Sequence, residues 1–334
     1  MFNNKLYNTA YHSEDLSKYK FLVTGGAGFI GSNIVEYLLR NNAGKIRVLD
    51  NLSNGYYENI KDFQGFANFE FIEGDIRDYA ICEKAVDGIH FISHQAALGS
   101  VPRSINDPIT TNEVNISGFL NILTAAKNSK SLIKMVYAAS SSTYGDSKVL
   151  PKKEGQEGNP LSPYAVTKLV NEIYADVFSK VYGFNTIGLR YFNVFGPKQN
   201  PNNPYAAVIP LFLKKIIEDE SPVINGDGLT SRDFTFVENV VQANIKSLMG
   251  SRDNSHKVYN VACGEQTTLL EIITILNRFT GKEIKPKFLD ERIGDIKHSK
   301  ADISLITQSI NYEPHIKFQA GLEIAYDYYL NQNN

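Results

Sequence analysis

Apolar positions in the first half of the chain switch repeatedly between two spacings, and the switching predicts a layered α/β architecture. Residues 20–23 form a short apolar run that ends at Thr24 and enters GGAGFIG directly. Beyond it Ile30, Ile34, Tyr37 and Leu38 recur at three- and four-residue intervals, the period of a helix with one buried face. NNAG breaks that helix, and KIRVLD (45–50) predicts a second strand, giving the order strand, glycine turn, helix, strand. The pattern continues with a strand over 68–75, a helix over 79–85 and a strand with its exit loop over 88–97. A long helix is expected over 111–129, where Val114, Leu120, Ile122, Leu123 and Ala126 keep helical spacing. Residues 132–141 are almost continuously apolar, as in a parallel strand covered on both faces. A helix over 164–182 and a strand over 185–190 complete the repeating core.

The expected fold class is therefore α/β, a Rossmann-type doubly wound parallel sheet with a smaller C-terminal α/β substrate-binding domain. Residues 1–192 are expected to form the NAD-binding domain, with 233–261 returning to it. The second domain would consist of 193–232 and 262–334. Residues 1–19 read as an arm or short helix packed on the first domain. The chain has 334 residues, enough for two domains. Hydrophobic residues at 43% supply a core, which excludes wholesale disorder. With 34 Lys+Arg against 36 Asp+Glu, the charge lacks the basic excess of a nucleic-acid binder. No apolar run reaches the roughly 20 residues of a membrane span. The opening residues contain no signal-peptide core. Cys82 and Cys263 are too few for a disulfide framework, which fits a reducing compartment and a cytoplasmic location.

Gly25, Gly28 and Gly31 stand between a strand and a helix, and each meets a separate physical need. They serve in turn the tight reversal, the approach of backbone to a pyrophosphate, and close helix–sheet packing. Amides at the helix start, around Phe29 and Ile30, would meet the phosphates. Asp50 ends the next strand, beside Asn51. Its carboxylate can accept from ribose hydroxyls and would repel a 2′-phosphate, so NAD is expected over NADP. Asp75 and Ile76 follow the third strand and are candidates for the adenine side. Further along, Ser162 and Pro163 open a helix that carries Tyr164 and Lys168 four residues apart on one face. An ammonium beside the phenol would lower its pKa. Ser140, Ser141, Ser142 and Thr143 end an apolar strand, the end at which α/β sheets bind ligands. His90 and His94 flank a strand rather than sharing a helical face, and no HExxH occurs, so no metal site is expected.

With these residues in place, the chain resembles the extended short-chain dehydrogenase/reductase family through GGAGFIG, the serine run, YAVTK and RYFNVFGP. Within it, 95–105, 137–146, 159–175 and 225–234 look like bacterial UDP-N-acetylglucosamine 4-epimerases. The resemblance implies UDP-GlcNAc/UDP-GalNAc interconversion through a 4-keto sugar, tightly held NAD, and a homodimer joined by two long helices of the first domain. Tyr164 would be the base, Lys168 its partner, and Ser141 or Ser142 the hydroxyl contact. Gln95, Ala96, Ala97, Ser140 and Tyr191 would also touch the cofactor. Gly99, Ser100 and Arg103 would form a sugar-side loop, with Asn193, Ala207, Val208, Asn225, Arg232, Arg292 and Asp295 toward the UDP or sugar. Arg232 and Arg292 have the guanidinium chemistry to clamp a diphosphate.

Related dehydratases carry an Asp-Glu pair where this chain has Ser142-Thr143, which favours plain epimerisation. On the sugar itself the resemblance leaves alternatives. The stretch 294–302 has no aromatic, which implies a roomy pocket, but Ile293 stands where close relatives place a small residue. Arg103, Lys297 or His298 could serve a 6-carboxylate. UDP-N-acetylhexosaminuronic acids and UDP-glucose/galactose are the alternative substrates. A net oxidoreductase and a non-catalytic binding protein are the readings from other classes.

Overall fold

The structure is a computed structural model that describes residues 5–202, 206–250, 255–291 and 297–332. The first half runs β1 (Lys20–Thr24), α1 (Phe29–Arg40), β2 (Lys45–Asp50), β3 (Phe69–Glu73), α2 (Tyr79–Val86) and β4 (Phe91–His94). It continues through α3 (Val101–Asn106), α4 (Pro108–Asn112), α5 (Phe119–Asn128), β5 (Lys134–Ser140), α6 (Pro163–Tyr182) and β6 (Thr186–Tyr191). The second half contains β7 (Val194–Phe195), α7 (Val208–Ile217), β8 (Val223–Asn225), β9 (Ser231–Arg232), β10 (Thr235–Phe236) and α8 (Val237–Met249). After it come β11 (Lys257–Val261), β12 (Thr267–Thr268), α9 (Leu269–Thr280), β13 (Lys287–Leu289), α10 (Ser304–Ile310) and α11 (Phe318–Gln332).

Among the described residues, seven parallel strands form the central sheet in the order β11-β6-β5-β4-β1-β2-β3. The order reverses between β1 and β4, and the loops leaving their carboxyl ends diverge there to open a crevice. Strand interiors such as Leu22, Val23, Val48, Ile92 and Val136 are wholly buried, which explains their continuous apolar runs. Two clusters cover the faces: one gathers α1 and α8 side chains such as Ile34, Leu38, Val240 and Val241, the other Phe119, Ile122, Leu123 and Ala126 of α5. The second half returns α8 against α1 and adds β11 to the edge of the sheet beside β6. The remaining second-half elements form a smaller α/β region, with α7 packed on α9 and α11, and β8 parallel to β13.

The helix expected over 111–129 is interrupted. Glu113–Gly118 form a π-helical turn between α4 and α5. At Gly118 any Cβ would lie 2.6 Å from the Ile76 side chain, so the backbone passes against Ile76 and the widened turn occurs where the helix meets that residue. The N-terminal arm is packed down, with Leu6, Tyr7, Tyr11 and Leu16 buried. The Tyr7 amide and the Tyr11 hydroxyl both donate to Glu238 Oε1, at 3.0 and 2.6 Å, and the Tyr7 hydroxyl donates to Asn33 Oδ1 at 2.6 Å. The arm thereby ties α1 to α8. Among the described residues no helix is long and apolar enough to cross a membrane.

Candidate active site

The turn leaving β1 is built around two close backbone approaches. Gly25 has φ +66°, and a Cβ there would meet the Ala96 amide nitrogen at 2.6 Å, so no other residue fits between the ends of β1 and β4. A Cβ on Gly31 would enter the van der Waals envelope of the Gly25 carbonyl, which is how α1 comes to rest directly on the turn. Gly28 occupies the N-cap of α1 and supplies no side-chain acceptor. The helix start at Phe29, Ile30 and Gly31 therefore keeps its orphan amides uncapped, and these residues line the cavity at the crevice. Among the described helices, α2 is capped by Asp78 and α9 by a reciprocal Thr268–Glu271 box, whereas α5, α7, α8 and α10 also lack a side-chain cap. What distinguishes the start of α1 is its place in the cavity wall, where an anion such as a pyrophosphate would complete it.

Asp50 stands at the end of β2 and accepts from the amides of Ala27 and Leu52 at 2.9 and 2.8 Å. Burial raises its pKa, and the amides of Leu52, Ala27 and Gly28 oppose that shift. Two carboxylate oxygens retain acceptor capacity beyond these bonds, so a ribose diol fits here. Asp75 is held down to about 2, chiefly by the Arg77 side-chain hydrogen bond, and also accepts from Asn51 Nδ2 at 2.8 Å.

Tyr164 and Lys168 occupy the first turns of α6, facing the end of β5. Burial raises the pKa of the Tyr164 phenol, and the neighbouring Ser140 side chain opposes that shift without cancelling it. The Lys168 ammonium lies 6.0 Å from the Tyr164 ring centroid and donates to the Ala138 carbonyl at 2.8 Å. Burial brings Lys168 down to about 8 against the opposing charge of Glu172. The expected direct lowering of the phenol by the ammonium is therefore not what this arrangement shows, because Lys168 reaches the strand-end carbonyl instead. Of the serine run, Ser140 is the one whose side chain acts on the phenol. Ser142 Oγ donates to Ser140 Oγ at 2.8 Å, making a short hydroxyl chain, and Ser141 lines the cavity.

One cavity of about 470 Å³ collects Gly25, Gly28, Phe29, Ile30, Gly31, Asp50, Asn51, Asp75, Ile76, Gln95, Ala96, Ala97, Ser140, Tyr164, Lys168 and Tyr191. Tyr191 donates to Gln95 Oε1 at 3.1 Å and accepts from Asn244 Nδ2 at 2.8 Å. On the sugar side, Gly99, Ser141, Asn193 and Ala207 line the same cavity. Ser100, Arg103, Ser142, Val208, Asn225 and Arg232 are not among its lining residues. Ser100 caps α3, Arg103 donates to Asn54 Oδ1 at 3.2 Å, and Arg232 donates to the carbonyls of Ser231 and Lys297 at 3.0 and 3.2 Å. Lys297 pairs with Glu291 at 3.0 Å and the His298 ring bonds the Ser231 hydroxyl at 2.8 Å. Arg292, Ile293, Gly294 and Asp295 lie outside the described residues.

Sequence reasoning missed Lys198, which lines the cavity, pairs with Glu36 at 2.8 Å and adopts φ +71°. It also missed Asn54, Gly55 and Tyr56, whose signal was the Asn-Gly turn just beyond Asp50. Asn115, inside the π turn, accepts from the Leu98 amide at 2.8 Å and donates to the Thr167 hydroxyl at 3.1 Å. It fixes the loop after β4 against α6. Among the described residues no cluster of His, Cys, Asp and Glu has metal-binding geometry. Both cysteines are buried and free, and burial pushes each up to about 12.

The model of the NAD dependent epimerase/dehydratase family matches residues 21–262. The chain belongs to this family. Its cofactor is NAD, and the uncapped helix start, the Asp50 acceptor and the glycine cradle fit that group. A UDP-N-acetylglucosamine 4-epimerase from Methanobrevibacter ruminantium M1, solved with UDP-N-acetylmuramic acid, is 41% identical, with a TM-score of 0.88 over 94% of this chain and 99% of that one. A UDP-glucuronic acid 4-epimerase from Bacillus cereus, solved with UDP-glucuronic acid and NAD, is 33% identical, with a TM-score of 0.87 over 94% and 100%. A putative UDP-glucose 4-epimerase of Methanocaldococcus jannaschii is 34% identical over 93% of this chain and 99% of its own length.

The glycine cradle makes a direct prediction. Gly31→Ala should weaken NAD binding at least about tenfold, roughly 1.4 kcal/mol, measured by titrating NAD into NAD-stripped protein. Gly65→Ala, where a Cβ would meet nothing within 4 Å, should leave the affinity unchanged.

Proposed function

We propose that this protein is an NAD-dependent 4-epimerase of a UDP-sugar. The observation that carries the reading is that Tyr164, Ser140 and buried Lys168 line the same cavity as the glycine turn. Held by the glycine turn and Asp50, NAD would supply the hydride acceptor for the sugar's C4 and the donor for its return. Tyr164 takes the proton of the 4-hydroxyl and gives one back to the inverted alcohol, so the same atom acts as base and acid. Ser140 holds the phenol and can share the oxygen at C4. Lys168, bonded to the Ala138 carbonyl rather than to the phenol, supplies a positive charge that acts across 6.0 Å once the phenolate forms. The nucleotide anchors the substrate at a distance from C4 while the 4-keto sugar turns over.

For the sugar, relatives named for UDP-glucose and UDP-glucuronate support an unacetylated hexose or a uronic acid as the preferred class. The UDP-N-acetylhexosamine first expected from the motifs is the second reading, favoured by the 41% identical structure. A homodimer belongs to the same proposal. Val166, Ile173, Val177 and Val181 expose 45–65% of their surface along one stripe of α6, with Ile105 and Ile109 exposed on α3 and α4. An apolar stripe of that length matches a helix-pair interface.

Incubation with UDP-glucose, UDP-glucuronate, UDP-GlcNAc and UDP-GlcNAc-uronate, resolved by NMR, should yield C4 epimers of at least one without added reductant. Net consumption or release of NADH in proportion to product would overturn the epimerase reading. Tyr164→Phe should lower turnover at least about 100-fold while retaining bound NAD. As pH rises through about 8, Lys168 loses its charge, so kcat/KM should fall there. Lys168→Arg, which stays protonated, should lose that limb. Val177→Glu should shift a wild-type dimer toward monomer in light scattering, whereas a wild-type chain that is monomeric at micromolar concentration removes the dimer.

A further inference from the structure

The amides of the first turn of α6 can be accounted for one by one. Pro163 has none. Ala165 donates to the Ser162 side chain, and Val166 to the Ser162 carbonyl at 3.0 Å. The amide left over belongs to Tyr164, and its acceptor comes from another element: Ser104 Oγ on α3, at 3.0 Å. Ser104 is fully buried. Its own hydroxyl proton is committed to the Val101 carbonyl at 2.7 Å, so its lone pairs are oriented rather than free to rotate.

We propose that Ser104 is a positioning residue for Tyr164, fixing the backbone from which the phenol projects toward Ser140. This rests on the reading of Tyr164 as the base. The helix α3 is held at two points. Arg103 donates to Asn54, a residue of the cavity wall, and Ser104 takes the Tyr164 amide. The segment leading into α3 begins at Gly99, which also lines the cavity. Displacement of the 99–103 segment by a sugar is therefore transmitted to the reacting hydroxyl through one hydrogen bond. Misplacement of a reacting group costs turnover rather than affinity, because the nucleotide binds elsewhere in the cavity.

The test measures kcat per NAD-loaded site, KM and the pH profile of kcat for Ser104→Ala, Ser104→Cys and Ser104→Thr. Removing the acceptor should lower kcat about tenfold, equivalent to about 1.4 kcal/mol, with KM within about twofold and NAD content unchanged. The acidic limb of kcat should move to higher pH, since a phenol drawn away from Ser140 loses an interaction that favours its ionised form. Ser104→Thr, which keeps the hydroxyl, should restore most of the rate. Ser104→Cys is close in size but a poor acceptor, and it decides the matter if the alanine variant does not fold. Wild-type kcat per loaded site in Ala or Cys, or an unshifted pH limb, overturns the role. Tyr164→Phe run alongside separates the two readings. If it stays active, the assignment of the base fails. If it is inactive while the Ser104 variants are normal, only the positioning role fails.

Discussion

At the end of β1 the chain reverses through a left-handed glycine whose α-carbon sits against the amide of Ala96, and α1 then lies on the carbonyl of that same residue. Two contacts without side chains therefore set the distance between β1, β4 and the first helix. Everything functional hangs from that spacing. The crevice at the strand-order reversal opens beside it, the uncapped start of α1 points into it, and the end of β2 brings Asp50 alongside. A methyl group at Gly31 would push α1 off the turn, and the cavity wall with it.

The chemistry on the far wall follows a different logic, in which burial and hydrogen bonding work against each other. Burial raises the Tyr164 phenol and depresses the Lys168 ammonium, so both groups are pushed toward their neutral forms. The Ser142–Ser140 hydroxyl chain opposes that trend at the phenol, and Glu172 opposes it at the ammonium. The outcome differs between the two: Lys168 is brought toward neutral pH, to about 8, whereas the phenol remains above its ordinary value. The two groups also place the charge changes of turnover in a site where few other ionisable groups interfere. His94, next to Lys168, is held neutral with a pKa near 3.

Much of this was legible in the chain because it is local. The glycine spacing, the Asp50 position and the four-residue interval from Tyr164 to Lys168 each lie within one element or one turn, and the first six strands of the sheet follow from short apolar runs. Which hydroxyl of the Ser140–Ser142 run meets the phenol was not legible, since it depends on how Ser140 caps the turn that follows β5. The π turn was hidden too, because the apolar positions on either side of it, Val114 and Leu120, still read as one helix, and Gly118 closely approaches Ile76, which is far away in sequence. The same holds for the sugar side. Arg232, Asn225 and Arg103 sit on elements of two, three and six residues, β9, β8 and α3, too short for a periodic pattern to announce them.

The arm that ties α1 to α8 also joins distant parts of the chain. The acceptor shared by Tyr7 and Tyr11, Glu238, is more than two hundred residues downstream, and His315, which bonds the Tyr11 hydroxyl at 3.0 Å, is later still. The same tyrosines meet Asn33 and Tyr37 of α1, contacts available as soon as that helix exists. Pairings of such different sequence separation form on different timescales, so the arm can settle on α1 early and be locked only when α8 arrives.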